Sequence, residues 1–168
     1  FQAQGNYAEA EPLLEKSLNV RKKAFGAEHR DVAKSHNNLA LLYQEQGRYE
    51  EAETFYKLSF ETTEKIIGPD HPDVASILKG LGMLYQSQGR YEDAETLFKR
   101  SIDIDELALG KDHPELAKGL NNLGLSYQSQ GRYEDAESLF KQALRINKLA
   151  FGTDHPDVAT ILMNLAVS

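Results

Sequence analysis

The sequence contains no cysteine. Disulfides and thiolate metal sites are therefore excluded, and the absence fits a reducing, cytoplasmic environment. No run of about 18 apolar residues occurs, so no membrane-spanning helix is predicted. Positive charge is scarce, since 19 Lys and Arg stand against 26 Asp and Glu and give a net charge of −7. This balance argues against nonspecific binding to nucleic acids or membranes as the main function.

Recognisable catalytic motifs are absent as well. The sequence has no glycine-rich phosphate loop, no nucleophile elbow and no cluster of metal ligands at metal-binding spacing. Histidines recur once per loop, but neighbouring repeats would hold them roughly 10 Å apart or more, which is too far for a shared metal ion. We therefore predict neither an enzyme nor a cofactor.

What the sequence does have is a repeat. Gly-Arg-Tyr-Glu-Glu-Ala-Glu at 47–53 returns with Asp in its fifth position at 89–95 and 131–137, and a looser copy stands at 5–11. The first glycines of these copies are 42 residues apart. A fixed period of this size indicates a repeat architecture, in which each unit packs only on its neighbours.

A second motif divides the repeats from one another. The loop Gly-Pro-Asp-His-Pro-Asp at 68–73 has close copies at 110–115 and 152–157. We expect its glycine to end one helix in the left-handed conformation, and Asp70 or His71 to cap the next. Pro72 fits the first turn of that helix, where its missing N–H is no loss.

Between these motifs, apolar residues recur at helical spacing and define two helices per repeat, termed A and B. We predict B helices over 7–25, 49–67, 91–109 and 133–151, and A helices over 32–46, 73–88, 115–130 and 157–168, with residues 1–5 as the tail of an earlier A helix. The repeat units are 1–30 (partial), 31–72, 73–114, 115–156 and 157–168 (partial). The predicted fold is all-α, one domain over 1–168, a right-handed superhelical solenoid of antiparallel helix pairs.

The repeats resemble the tetratricopeptide pattern, in which Trp-x₂-Leu-Gly-x₂-Tyr is followed by Ala-x₃-Phe. The third unit has Leu78, Leu81, Gly82 and Tyr85 at the first set of positions, and the fourth repeats them 42 residues later. The small residues at 82 and 124 are expected to let helix B approach closely, with aromatic side chains filling the space beside them. His36 occupies the Trp-like position of the second unit, where we expect a packed, hydrogen-bonded side chain. The long period resembles the repeats of kinesin light chains, whose peptide-binding mode implies a binding scaffold here.

Each A helix is predicted to bury one side, which carries its regularly spaced apolar residues, in the core. The opposite, accessible side of the A helices is predicted to form a groove. The predicted peptide-binding residues are Lys34, Asn37, Asn38, Leu41, Lys79, Met83, Lys118, Asn121, Asn122, Leu125 and Asn164. Three of these are lysines, while the excess acid lies on the B helices. We therefore expect a locally basic groove that binds an acidic peptide, and expect Lys79→Glu with Lys118→Glu to abolish binding without unfolding the chain.

Alternative interpretations stay open at this point. The lysines could be ordinary solvated residues, and Asn38, Asn122 and Asn164 could hydrogen-bond neighbouring repeats instead of a ligand. The arginines of the A–B turn, Arg48, Arg90 and Arg132, are expected to be solvated. The chain as a whole could serve as a spacer, as a self-assembling segment joined head to tail through its incomplete ends, or as a sensor arm of a larger protein.

Overall fold

The computed structural model describes residues 7–167, except for the side chain of Ala8. Eight α-helices and no strands occur within this range. They are α1 (Tyr7–Phe25), α2 (Arg30–Glu45), α3 (Tyr49–Ile67), α4 (Pro72–Ser87), α5 (Tyr91–Leu109), α6 (Pro114–Ser129), α7 (Tyr133–Phe151) and α8 (Pro156–Ala166). The four B helices are α1, α3, α5 and α7, and their bounds are those predicted; the A helices begin one or two residues earlier than predicted. The all-α prediction is confirmed, whereas the predicted A-helix tail at 1–5 lies outside the described residues.

The chain forms two compact units, Phe1–Pro69 and Asp70–Ser168. In the first unit, α2 packs on both α1 and α3. In the second unit, α4 packs on α5 and α6 on α7, and further contacts join α5 to α6 and α7 to α8. The three-residue A–B turns make the partners of each A–B pair antiparallel. The single-domain organisation of the whole chain stays a prediction.

Each A helix begins at a histidine. The Nδ1 atom of His71 accepts a hydrogen bond of 3.1 Å from the backbone N–H of Asp73, and His29, His113 and His155 do the same at 3.2 Å. This settles the choice of cap in favour of His71 over Asp70. The histidines therefore have a local structural role, which is to satisfy a backbone donor that the helix itself leaves free.

The glycine before each of these loops differs from expectation in one respect. Gly68 adopts φ 90° and ψ 162°, and Gly110 and Gly152 are similar. This is an extended conformation with positive φ, not the left-handed helical one, because the chain leaves helix B in an extended direction. The region is open to glycine almost alone, so the requirement for glycine is stricter than predicted.

The arginines of the A–B turn are not simply solvated, which corrects the prediction for them. The guanidinium of Arg48 lies 4.2 Å from the ring centroid of Tyr43 and forms an ion pair of 2.8 Å with Glu11 on α1. Its hydrogen bonds lower the pKa of Glu11. In the second unit, Arg132 likewise stacks 3.7 Å from the centroid of Tyr127. The arginine thus joins its own turn to the neighbouring B helix.

The predicted close approach of helices A and B is confirmed. A Cβ atom added to Gly124 would lie 2.6 Å from Cε1 of Phe140, and one added to Gly82 would lie 2.6 Å from the same atom of Phe98. Both rings are fully buried. The first unit uses alanine at this position, Ala40, with Tyr56 as the aromatic partner, and both are buried. The glycine therefore makes room for a ring in the core of each pair.

We expect Gly124→Ala to destabilise the second unit by roughly 1–3 kcal/mol. The new methyl group would overlap a ring that is packed on all sides, and this cost exceeds the gain of about 1 kcal/mol in helix propensity. The free energy of unfolding from urea denaturation measures the effect. Gly119→Ala on the same helix is the comparison variant, because its Cβ would meet the half-buried side chain of Ile102 at 2.9 Å and Oγ of Ser101 at 3.7 Å, and no fully buried ring. Equal stability of the two variants would contradict this account of the core.

Candidate functional site

The predicted residues of the first unit lie on one accessible face of α2. Lys34, Asn38 and Leu41 are exposed and Asn37 is half-buried. The opposite face of α2 is buried. This helix therefore has the two faces that its periodicity predicts, with a cation, two amides and one apolar residue on the accessible side.

The second unit carries a matching set of residues on α6. The side chain of Lys118 is 57% exposed, and Asn121, Asn122 and Leu125 are half-buried on the same helix. Two further predicted residues lie on the helices to either side in sequence, Met83 on α4, which is exposed, and Asn164 on α8, which is half-buried. α6 thus presents the same four residues as α2, Lys, Asn, Asn and Leu, at the same spacing.

Lys79 is different, because its side chain is buried on α4. Only 7% of the residue is accessible, and its Nζ lies 3.0 Å from Oδ2 of Asp105 and 3.0 Å from Oε2 of Glu115. Asp105 is 1% exposed. The ammonium of Lys79 is thus paired with two carboxylates inside the unit, and it adds no free positive charge to the surface of α4. The expectation that Lys79→Glu leaves the fold intact is wrong, because the change would place a third carboxylate in this cluster.

The two carboxylates of this cluster differ in their surroundings. Burial raises the pKa of Asp105, although the hydrogen bond from Lys79 acts in the opposite direction. Burial also acts to raise the pKa of Glu115, but hydrogen bonds from Lys118 and Lys79 outweigh it, so the pKa is lowered. Glu115 therefore remains the ionised partner of both lysines.

This arrangement reduces the expected basicity of the A helices. Lys118 donates to Oε1 of Glu115 at 2.6 Å, so one carboxylate faces two of the three lysines. Glu115 belongs to the first turn of α6, where a carboxylate also interacts favourably with the helix dipole. Lys34 and Lys118 remain as the cations with exposed side chains among the predicted residues.

A cleft of about 130 Å³ opens beside α6 in the second unit. It lies between α6, α7 and α8, and its lining residues are Ala117, Lys118, Asn121, Asn122, Asn147, Asp157, Thr160 and Ile161. Nδ2 of Asn164 donates to Oδ1 of Asn121 at 2.8 Å, which joins α8 to α6. For Asn164, the alternative of a hydrogen bond to a neighbouring repeat is therefore realised. Lys118, Asn121 and Asn122 are the predicted residues that this cleft brings together.

Two residues of this region were missed from the sequence. Asn147 on α7 is 3% exposed, and its Oδ1 atom has no hydrogen-bond partner. Asp157, in the first turn of α8, lines the same cleft and was not among the predicted residues. The signal that could have found Asn147 is variation within the repeat, because its counterparts one and two repeats earlier are Asp105 and Thr63.

A metal-binding cluster and a membrane-spanning helix are both absent from residues 7–167. No group of three His, Asp or Glu side chains within 7–167 is placed to hold a metal ion. Over the same range, no helix combines the length and the apolar character that crossing a bilayer would require.

Comparison with known proteins supports the interpretation of the repeat. A family described as tetratricopeptide repeat matches residues 1–65, 31–107, 77–148 and 115–168. BtubC (BKLC) from P. vanneervenii is 26% identical, with a TM-score of 0.86 over 99% of this chain and 66% of that one. A Podosopora anserina protein described as a kinesin light chain with nearly identical TPR-like repeats is also 26% identical, with a TM-score of 0.80 over 98% and 78% of the chains.

A more distant similarity extends to the N-terminal domain of stress-induced protein-1 from C. elegans. That domain is 15% identical, with a TM-score of 0.60 over 82% of this chain and 96% of its own, and it bears on the fold alone. No curated protein matches the sequence. The chain spans just under two thirds of BtubC, so similarity covers a repeat segment and not that whole protein.

Proposed function

Because this chain belongs to the tetratricopeptide-repeat family, we propose that it is a non-enzymatic scaffold that binds an acidic peptide segment of a partner protein. Tetratricopeptide repeats generally mediate protein–protein interactions, and arrays of this kind present extended surfaces for them. Among the similar solved structures is a protein described as a kinesin light chain. We expect the bound peptide to be acidic, because the resemblance to kinesin light chains implies this binding mode.

One observation carries the proposal. The same four-residue pattern, Lys-x₂-Asn-Asn-x₂-Leu, lies on the accessible face of α2 in the first unit and of α6 in the second. On α6 these are Lys118, Asn121, Asn122 and Leu125, and the Oδ1 atom of Asn121 already accepts from Asn164. Amides can pair with the backbone of an extended peptide, a lysine attracts carboxylates, and an apolar side chain offers a contact for one anchoring residue. The excess acid of the chain lies elsewhere, chiefly on the B helices α3 and α5.

The ion pair between Lys118 and Glu115 is compatible with this role. Lys118 is more than half exposed, so its attraction to Glu115 is screened by solvent and contributes little to stability. A carboxylate of an incoming peptide can therefore share the ammonium at small cost. Lys79 has no such freedom and is left out of the proposed contacts.

The test is a peptide-array screen followed by fluorescence anisotropy on the best acidic peptide, where a micromolar Kd, or about −8 kcal/mol, is expected. Lys118→Gln should weaken binding by about tenfold, since one charge-assisted contact of about 1.4 kcal/mol is lost. Lys141→Gln is the matched control: Lys141 is similarly exposed, pairs with Glu137 and lies on helix B.

The result also distinguishes the competing functions. A spacer or self-assembling segment would show no sequence preference on the array. Equal loss in the two lysine variants would assign the effect to overall charge and remove the α6 face from the proposal.

A further inference from the structure

The second unit contains the same three-position cluster twice, 42 residues apart. In the first copy the positions are Lys79 on α4, Asp105 on α5 and Glu115 on α6. In the second copy they are Asn121 on α6, Asn147 on α7 and Asp157 on α8. The helices pack in the same order in both copies. The first copy therefore indicates which kind of group the second copy can bind.

In the first copy an ammonium fills the space between the helices. Nζ of Lys79 donates to Oδ2 of Asp105 and Oε2 of Glu115, both at 3.0 Å, and lies 3.5 Å from the carbonyl oxygen of Glu115. The cluster thus presents three oxygen acceptors to one cation, which satisfies the buried carboxylate of Asp105.

In the second copy the oxygen acceptors remain, but no lysine stands at the position equivalent to Lys79. Asn121 stands where Lys79 stands in the first copy, and it uses its Oδ1 to accept from Asn164. Oδ1 of Asn147, the counterpart of the Asp105 carboxylate, is buried without a hydrogen-bond partner. Between them lies the cleft of about 130 Å³, which Asn147 and Asp157 both line. One water needs roughly 10–15 Å³ of such volume, so the cleft has room for a larger group.

The residues that line the cleft favour a ligand that donates hydrogen bonds. A buried carbonyl oxygen without a partner costs roughly 1–3 kcal/mol, and a hydrogen-bond donor from a ligand removes that cost. Asp157 adds a negative charge on the same cleft. Lys118 also lines the cleft, but its ammonium is paired with the Glu115 carboxylate at 2.6 Å, which reduces its repulsion of a bound cation. The cleft therefore favours a group that both donates hydrogen bonds and carries positive charge.

We propose that the α6–α7–α8 cleft binds a primary ammonium, the side chain of a lysine in the bound segment of the partner. That ammonium takes the place that Lys79 fills from within the chain one repeat earlier. The identity of the segment rests on the proposed function, whereas the ammonium site itself does not. The partner sequence would then combine acidic residues, which face Lys118, with one lysine anchored at Asn147.

A small probe tests the site without a partner. Acetyl-lysine methylamide and its neutral analogue acetyl-norleucine methylamide are titrated into the full chain at constant ionic strength. The chemical shift of the Asn147 side-chain amide is followed by NMR. The lysine probe should saturate with a Kd in the millimolar range, and the norleucine probe should give no saturable shift.

Two variants at one position sharpen the test. Asn147→Asp should bind the lysine probe about tenfold more tightly, because a charge-assisted hydrogen bond replaces a neutral one. Asn147→Leu should abolish binding, and it removes an unsatisfied polar group, so folding is not compromised. Probe shifts in the Leu variant are read from the backbone amides of Asn122 and Thr160.

These experiments test the ammonium site independently of the proposed function. Equal binding of the two probes, or unchanged binding in Asn147→Leu, would overturn the proposal. Lysine-selective binding that Asn147→Leu abolishes would support it even if the peptide array finds no acidic partner. In that case the proposed function would fail and the ammonium site would stand.

Discussion

Replacing Lys79 with methionine is expected to destabilise the second unit by about 3–5 kcal/mol. Methionine is the residue at the equivalent position of α8, Met163, and it fills a similar volume, so no large cavity accompanies the loss of charge. The cost arises because Asp105, 1% exposed, would keep its desolvation penalty without its cation. The free energy of unfolding in urea at neutral pH measures the change.

A double variant isolates the ion pair from other effects. Lys79→Asn with Asp105→Asn rebuilds the amides that the next repeat has at Asn121 and Asn147. We expect it to recover most of the lost stability, because neither residue then carries an uncompensated charge. A loss below about 1 kcal/mol in Lys79→Met would show that the buried pair contributes no more than a surface ion pair.

His36→Leu is expected to stabilise the first unit by about 1–3 kcal/mol at neutral pH. His36 is 4% exposed and packs 5.8 Å from the ring centroid of Phe55, but neither ring nitrogen has a hydrogen-bond partner. The expected packing is therefore confirmed, and the expected hydrogen bond is not formed. Leucine occupies the equivalent positions Leu78 and Leu120, so the replacement fits the repeat.

The same substitution should remove a pH dependence. Burial, with a smaller effect from Lys22, lowers the pKa of His36 from 6.5 to about 4. The unfolded chain therefore binds the proton first as the pH falls, so stability is fully present above about pH 6.5 and is lost progressively down to about pH 4. A shift of this size corresponds to a loss of about 3 kcal/mol over that window, taking 1.36 kcal/mol per unit.

The measurement is a series of urea denaturations of the wild type and His36→Leu between pH 7 and pH 4. The difference between the two proteins isolates the histidine, because carboxylates such as Glu11, whose pKa is lowered by Arg48, titrate alike in both. A stability difference that stays constant across the window would contradict the assignment of a buried neutral imidazole.

The A–B helix pattern was determined by local sequence signals. The 42-residue period, the glycines at 68 and 110 and the capping loops specified the bounds of every B helix. These signals act within one turn of the chain, through backbone conformation and the free donors of a helix end, so they can be recognised without knowing what packs nearby. The close approach at Gly82 and Gly124 was likewise evident, because a small residue opposite an aromatic one recurs in the sequence.

The tertiary structure decided whether each charged or polar side chain is buried and which partner it has. Lys79 occupies the same position of its A helix as Asn37 and Asn121, and helical periodicity cannot tell whether it faces solvent or a carboxylate. Only the packing of α4, α5 and α6 brings Asp105 and Glu115 to it, from positions 26 and 36 residues away in sequence. For the same reason Oδ1 of Asn147 has no hydrogen-bond partner. Burial and pairing depend on side chains from three helices at once, whereas a helix end depends on its own turn.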